Sequence, residues 1–417
     1  MISVMIIKKV VEKLRKKIMT KKILITGGPV HAYLDDVKII TNRFKGGLMS
    51  KLAGEFVDMA ENLHAKVKVN RGDKKADVHI TYLCSKNSQQ PWYSEFLGGE
   101  KTPHLTCVHH NGIDDYMEKV LELAPQMDAI VLGAAVANLI PKNKIKGKFP
   151  SHNYKPGDTI PIEFTIAPRI IDEVKKANPK VHLFGYKLLS GVSYPELISA
   201  AYGVLLESKA VTVFANDAMD LMQKYAVTKE RGVHPMLNKE VSQWILDRMD
   251  EQYYSTEFYS SSDINLDIKN AKQKLKEIID ENKKSFLQVD EGYVFGSAAY
   301  SIGSGSVKFA TTSRGKNEIN DLTFVKNVDH DQKTVLVEGN KKATLNAPLF
   351  YRIFKQCSTV KYILHFHYQR DDLITQEYAT PGTDKDSFRP SLNSYLSFNI
   401  KGHGCILSYN KEGKLLK

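Results

Sequence analysis

Two sets of residues in this 417-residue chain have the types and spacing to do chemistry. Gly27 and Gly28 directly follow the apolar run Lys22-Ile-Leu-Ile-Thr26. Glycines at that place let the backbone approach phosphate oxygens closely, with amide N–H groups as donors. The second set is histidine. His365 and His367 are one residue apart in Tyr362-Ile-Leu-His-Phe-His367, which reads as a central strand. On a strand such a pair emerges on one face, as two imidazoles on one metal ion require. His403, in Lys401-Gly-His-Gly-Cys405, is a third candidate ligand. Three neutral imidazoles leave zinc an open position for a hydroxyl- or carbonyl-bearing ligand.

The elements that must position these groups can be read from periodicity. Residues 22–250 alternate short β-rich runs with helical patterns: Lys22–Thr26, a helix from about Gly47 to Leu63, then a strand at Lys66-Val-Lys-Val69. Strand, helix, strand predicts a parallel sheet. Further buried strands are expected at Ala129–Leu132, His182–Gly185 and Val211–Phe214, each ending in a small or polar residue. That is an α/β, doubly wound, Rossmann-like pattern, with its ligand crevice at the carboxyl ends of the strands. Residues 252–262 are rich in Tyr and Ser and lose helical period, which places a linker there. A second domain is expected at 263–417, of α/β (α+β) type: a helix to about Asn282, then shorter strands with Gly/Ser turns. The first domain is expected over 22–251.

Composition narrows the class. Hydrophobic residues make up 42% and charged residues 25%, which excludes disordered and collagen-like chains. The longest apolar run, Ala129 to Ala137, is far short of the roughly 20 residues that a membrane-spanning helix requires. The four cysteines form no CxxC pair, excluding a cysteine-zinc knuckle and fitting a reducing cytoplasm. The net charge is +12, and residues 1–22 carry eight lysines and arginines against Glu12 alone. Ile7, Val10, Val11, Leu14 and Ile18 recur there at helical spacing, as in a basic amphipathic helix. Such a helix could touch a membrane or nucleic acid. The plainer reading of 1–21 is a leader or an extension upstream of Met19, with neither partner; the charges follow the apolar residues, against a signal peptide.

A glycine pair after a first strand also occurs in dinucleotide-binding dehydrogenases. Val67-Lys-Val-Asn70 places no acidic residue at the end of the second strand to hold a ribose, and Tyr225-Ala-Val-Thr-Lys229 lies about 200 residues beyond the glycines. The segments after Gly28 are more specific: Asp35-Asp-Val-Lys-Ile-Ile-Thr-Asn-Arg43, then Gly46-Gly-Leu-Met-Ser-Lys-Leu-Ala53. In order along the chain come Ala134-Ala-Val-Ala137, Lys144-Ile-Lys-Gly-Lys148, Gly185-Tyr-Lys-Leu188 and Val213-Phe-Ala-Asn-Asp217. Residues 22–250 thereby resemble the phosphopantothenoylcysteine synthetase family, the phosphopantothenate–cysteine ligases of coenzyme A biosynthesis.

The resemblance implies an activity and a set of roles. The carboxylate of 4′-phosphopantothenate would be activated by CTP or ATP with Mg²⁺ as an acyl-nucleotidylate, and the amine of cysteine would then displace the nucleotide. Asn42 and Lys146 take the catalytic positions, Asn42 as a neutral donor toward the substrate carboxylate or acyl intermediate. Gly27, Gly28, Ala134, Ala135, Asn138, Lys144, Lys148, Tyr186 and Lys187 take nucleotide-binding ones, Tyr186 as the aromatic against the base. Read without the resemblance, the lysines are a solvated loop, Asn42 is a cap and Tyr186 is core. Two positions depart from the family pattern: Asn138 stands where Asp is usual, and Leu189 replaces Glu.

The C-terminal half carries a second resemblance. Gly296-Ser297 with Ser301, Thr311-Thr-Ser-Arg-Gly-Lys316, Tyr362–His367, Tyr378-Ala-Thr-Pro-Gly-Thr383 and His403-Gly404 are similar to segments of the class II aldolase/adducin domain. This implies zinc on His365, His367 and His403. The family's acid/base glutamate aligns with Asn346 in Thr344-Leu-Asn-Ala-Pro-Leu-Phe350, and an amide cannot accept a proton from carbon at neutral pH. The two resemblances together imply a cytoplasmic, homo-oligomeric ligase, dimeric through its N-terminal domain, fused to a zinc-binding domain of unknown substrate. Two other readings stand beside it: a C-terminal lyase or epimerase on a phosphorylated sugar with a regulatory N-terminal domain, and a non-catalytic assembly protein.

Overall fold

The computed structural model describes residues 20–61, 77–93, 102–260, 266–288, 294–302 and 307–417. The basic helix expected before Met19 and the strand expected at Lys66–Val69 lie outside the described residues. The chain forms two compact units: one runs to Lys229 and takes up Pro235–Met249, the other comprises Glu230–His234 and the chain from Asp250.

The first unit is built on one sheet of eight strands: β1 (Lys21–Gly27), β2 (Val78–Ser85), β3 (Leu105–His110), β4 (Ala129–Leu132), β5 (His182–Leu189), β6 (Thr212–Asp217), β7 (Asp220–Thr228) and β8 (Val233–Leu237). Their spatial order is β8-β7-β6-β5-β4-β1-β2-β3. β1 pairs in parallel with both β2 and β4, so the winding reverses between β1 and β4. The crevice of a doubly wound sheet opens at that reversal. Helices α1 (Gly47–Glu61), α2 (Ile113–Leu123), α3 (Ile170–Ala177), α4 (Tyr194–Ser208) and α5 (Val241–Met249) cover both faces. Ile23, Ile25 and Phe184 pack with α1 and α5 on one side. Leu24, Ile130 and Leu183 pack with α2, α3 and α4 on the other. Alternate strand residues feeding two cores explain why β1 and β4 read as unbroken apolar runs.

The second unit has a sheet of ten strands: β9 (Ser255–Tyr259), β10 (Ser297–Ser301), β11 (Phe309–Thr312), β12 (Leu322–Asp329), β13 (Thr334–Glu338), β14 (Tyr362–Phe366), β15 (Thr375–Gln376), β16 (Phe398–Ile400), β17 (Gly404–Tyr409) and β18 (Leu415–Leu416). Most pairs are antiparallel, with β9–β13 and β15–β16 parallel. Helix α6 (Leu266–Glu281) buries Ile268, Ala271, Leu275 and Ile279 on one face, and α7 (Ala347–Gln356) buries Leu349, Phe350 and Ile353 on the other.

Two expected boundaries shift. Residues 252–262 are not a bare linker, because Ser255–Tyr259 joins the second sheet beside Thr334–Glu338. Thr256, Phe258 and Tyr259 are residue types that favour a strand, and the serines around them mask that preference. The stretch 230–234 groups with the second unit because Val233 N–H donates to Gly402 O at 3.0 Å.

Candidate functional sites

In the first unit the glycine turn lies at the reversal point. Gly28 has φ +77°, and a Cβ there would stand 1.9 Å from Ser88 Oγ. Gly46, at φ +88°, crosses the same turn so closely that its Cβ would reach 2.4 Å from Gly28 N. α1 starts one residue later. Glycine is therefore demanded here by backbone conformation and by neighbouring protein atoms.

Across the crevice, Ala134 N–H donates to Thr26 Oγ1 at 3.3 Å and Ala135 N–H to Gly28 O at 2.9 Å. Asn42 Nδ2 donates to the carbonyl oxygens of both Ala135 and Val136, 3.0 Å each. The amide's two protons are thus engaged, and the group left to meet a ligand is the acceptor Oδ1. The expected role of Asn42 as a donor to a carboxylate does not fit this geometry.

The lysine loop divides. Lys144 Nζ is ion-paired to Asp36 Oδ1 at 2.8 Å and sits 5.0 Å above the Tyr33 ring. The hydrogen bond to Asp36 raises its pKa. Lys144 is a strut rather than a free cation, because Asp36 Oδ2 also accepts from Gly147 N–H at 2.8 Å. Asp35, fully buried, accepts from Val37 N–H (2.7 Å), from Phe149 N–H (2.9 Å) and from both the N–H and Nζ of Lys38. Burial opposes its ionisation, but these donors hold its pKa well below the usual carboxylate range. Asp35 and Asp36 thus brace the loop, a role that their place in an Asp-Asp doublet does not reveal. Lys146 and Lys148 are exposed and make no ion pair among the described residues.

Asn138 is exposed, and its carbonyl accepts from Ala167 N–H at 2.8 Å. Tyr186 and Lys187, adjacent on β5, project to opposite faces of the sheet. The Tyr186 ring lies 5.1 Å from that of Phe214. Its hydroxyl is buried without a hydrogen-bond partner among the described residues, and burial pushes its pKa up. Beside it is a gap too narrow for a water molecule, lined also by Glu55 and Asn238. Nothing in the sequence pattern marks those two residues.

In the second unit, one ring nitrogen from each of His365, His367 and His403 lies within 4.8 Å of the others. β14 carries His365, and His367 follows its end. His403 precedes β17, where Gly404 is required because a Cβ would stand 1.9 Å from Phe366 O. His365 Nδ1 lies 3.0 Å from Cys405 O, which makes Nδ1 the protonated nitrogen and leaves a lone pair on Nε2. That Nε2 and His403 Nδ1 are buried with no partner among the described residues. Burial lowers the pKa of His365 to about 4, and burial with mutual repulsion lowers those of His367 and His403. All three are neutral at pH 7. Two orphaned ring nitrogens, that of His365 unprotonated, in a cluster of three neutral imidazoles of this span are a donor set that fits a zinc ion.

Beside the cluster, Ser297 faces His365 directly across the antiparallel β10–β14 pair, so both side chains share a face. Asn346, 4% exposed and preceding α7, donates from Nδ2 to Ser297 Oγ at 2.9 Å. Its Oδ1 is buried and unpartnered among the described residues. Asn346 is thus hydrogen-bonded to the residue that faces His365 across the strand pair.

No model of a known protein family matches the chain. The coenzyme A biosynthesis bifunctional protein CoaBC of Thermococcus kodakarensis is 29% identical over 212 residues, 51% of this chain and 45% of that protein. The chain thus spans about half the length of this curated relative. Among solved structures, a Cab2 variant in complex with phosphopantothenate-cysteine aligns over 58% of this chain and 93% of its own, at 14% identity and a TM-score of 0.45. L-Fuculose 1-phosphate aldolase aligns over 34% of this chain and 76% of its own, at 15% identity and a TM-score of 0.27.

Proposed function

We propose that the first unit is a ligase that joins 4′-phosphopantothenate to cysteine, using Mg²⁺ with CTP or ATP. The similarity to CoaBC over 212 residues carries this reading. The substrate carboxylate attacks the α-phosphorus and pyrophosphate leaves; the cysteine amine then attacks the acyl carbon, the nucleoside monophosphate leaves, and the nitrogen loses a proton. Gly27 and Gly28, with the first turn of α1, supply backbone N–H groups beside the phosphates. Lys146 and Lys148, free of acidic partners among the described residues, neutralise the departing pyrophosphate, while Lys144 holds their loop through Asp36. Asn42 Oδ1, being an acceptor, suits the N–H of the incoming amine better than the carboxylate. Ala134, Ala135 and Asn138 border the nucleotide across the crevice, with Lys187 at the end of β5. The protein acts as a cytoplasmic homodimer. Pyrophosphate release that requires phosphopantothenate, measured with CTP and with ATP, tests the reading; cleavage of neither nucleotide by folded protein would refute it.

The second unit, on this reading, binds zinc through His365, His367 and His403. A zinc ion would polarise a hydroxyl or carbonyl oxygen. Asn346 offers no base there, which weighs against glutamate-dependent aldol or epimerase chemistry.

A further inference from the structure

Asn346 opens α7, and its carbonyl accepts from Phe350 N–H at 2.9 Å. An asparagine in that place usually turns its side-chain oxygen back onto a backbone N–H of the first turn. This one makes no such bond. Its Nδ2 donates instead to Ser297 Oγ and its N–H to Thr344 Oγ1 at 3.4 Å, which fixes the amide and leaves Oδ1 buried with no donor among the described residues. An acceptor that gives up its cap to be buried without a donor is costly to the fold, and something outside the protein must supply the proton it lacks.

The face of the sheet narrows what that is. α7 packs through Ala347 and Phe350 on Ala299, Ile363 and Ile406. Alternate strand residues share a face, so Ser297 and His365 lie on that same face, with Ser297 opposite His365 on one side and Ile406 opposite it on the other. The acceptors there cannot satisfy each other. His365 Nδ1 has its proton engaged by Cys405 O, and its Nε2, like Asn346 Oδ1, offers only a lone pair. A cation on the three histidines takes up the ring lone pairs but gives Oδ1 no proton. A water or a hydroxyl group on that cation does, and a three-histidine set leaves a position for one.

We propose that Asn346 is a positioning residue of the second unit, its Oδ1 accepting a hydrogen bond from the water, or from the hydroxyl group of a ligand, held at the open position of a metal ion on His365, His367 and His403. The inference rests on the zinc reading of that unit. A neutral amide shares such a proton without taking it, so the position suits a ligand that keeps its proton, an alcohol rather than an oxyanion. The test uses the full chain, stripped of metal with a chelator and titrated with Co²⁺ alone, whose visible absorption reports the atoms bound to it. Wild type is expected to bind about one Co²⁺ with the absorption of a four-coordinate centre. Asn346→Ala should bind Co²⁺ about tenfold more weakly, as loss of a partner beyond the ligands does, with the absorption maxima unchanged. Asn346→Asp, which keeps an oxygen acceptor in place, should bind at least as tightly as wild type. Equal affinity in wild type and Asn346→Ala would overturn the assignment. So would displaced maxima in Asn346→Ala, which would make Oδ1 itself a ligand, or equally weak binding by Asn346→Asp, which would reduce Asn346 to a structural part. Absence of Co²⁺ binding by the wild type would bring down the zinc reading and this inference with it, and would leave the ligase reading untouched.

Discussion

Asn42 reaches across the crevice to the backbone of Ala135, its Nδ2 lying 3.0 Å from the Ala135 carbonyl oxygen and equally far from that of Val136. An amide can serve both carbonyls; a carboxylate cannot. Asn42→Asp removes both donors and sets a negative oxygen against two carbonyl oxygens, at a cost of about 1–3 kcal/mol in stability. It also repels the substrate's own carboxylate. Pyrophosphate release should fall at least about 100-fold, measured on protein shown to be folded at the assay temperature. Unchanged turnover would remove Asn42 from the site.

Gly28 offers a separate test of the turn. Its φ of +77° disfavours any side chain, and Ser88 occupies the space a Cβ needs. Gly28→Ala should cost about 1–3 kcal/mol in denaturant unfolding. Pairing it with Ser88→Gly removes the clash but not the strained φ, so the double variant should recover only part of the loss. Full recovery would show that crowding, not backbone conformation, selects glycine here.

The parts of the fold written in periodicity are legible in the sequence. Ile23–Ile25 and Ala129–Leu132 are apolar on consecutive residues because each feeds two cores. Val78–Ser85, which pairs with β1, carries no such signal: His79, Thr81 and Ser85 break up its apolar pattern although most of its residues are buried. Among site residues, the spacing of His365 and His367 is enough to bring them together, and the nearness of His403 to them depends on the β14–β17 pairing. Asn238 is invisible in the sequence because it comes beside Tyr186 from a turn far along the chain, with no repeat or motif to mark it. Lys144 is recognisable as a loop lysine but not as the partner of Asp36, since an ion pair between residues over 100 apart leaves no local pattern.

The histidine cluster should be separable from the ligase. His403→Ala and His365→Gln are expected to lower the zinc content of the purified full chain from about one ion to near none, since three protein ligands are the minimum for such a site. Phosphopantothenate-dependent pyrophosphate release should stay within about twofold of wild type, a barrier change well below that of one lost hydrogen bond. Retention of zinc in both variants would disqualify these histidines as ligands, and loss of both properties would show that the two units depend on each other.

His110 gives the first unit a predictable acid sensitivity. It ends β3 and is 4% exposed. Burial, with repulsion from His31 as a lesser cause, lowers its pKa from 6.5 to about 4. Above pH 6.5 the imidazole is neutral in both folded and unfolded chains and contributes no pH dependence. Below it the unfolded chain takes up a proton that the folded chain refuses until about pH 4, so stability falls across that window by up to about 3 kcal/mol. His110→Phe keeps an aromatic ring against Tyr116, which lies 5.2 Å away. At pH 7 the variant should therefore match wild type within about 1 kcal/mol. Urea titrations at pH 7, 5.5 and 4.5 should show a shallower loss in the variant by close to one proton. Equal slopes in the two proteins would mean that His110 is protonated in the folded state, through a partner such as Asp115 close enough to compensate its burial.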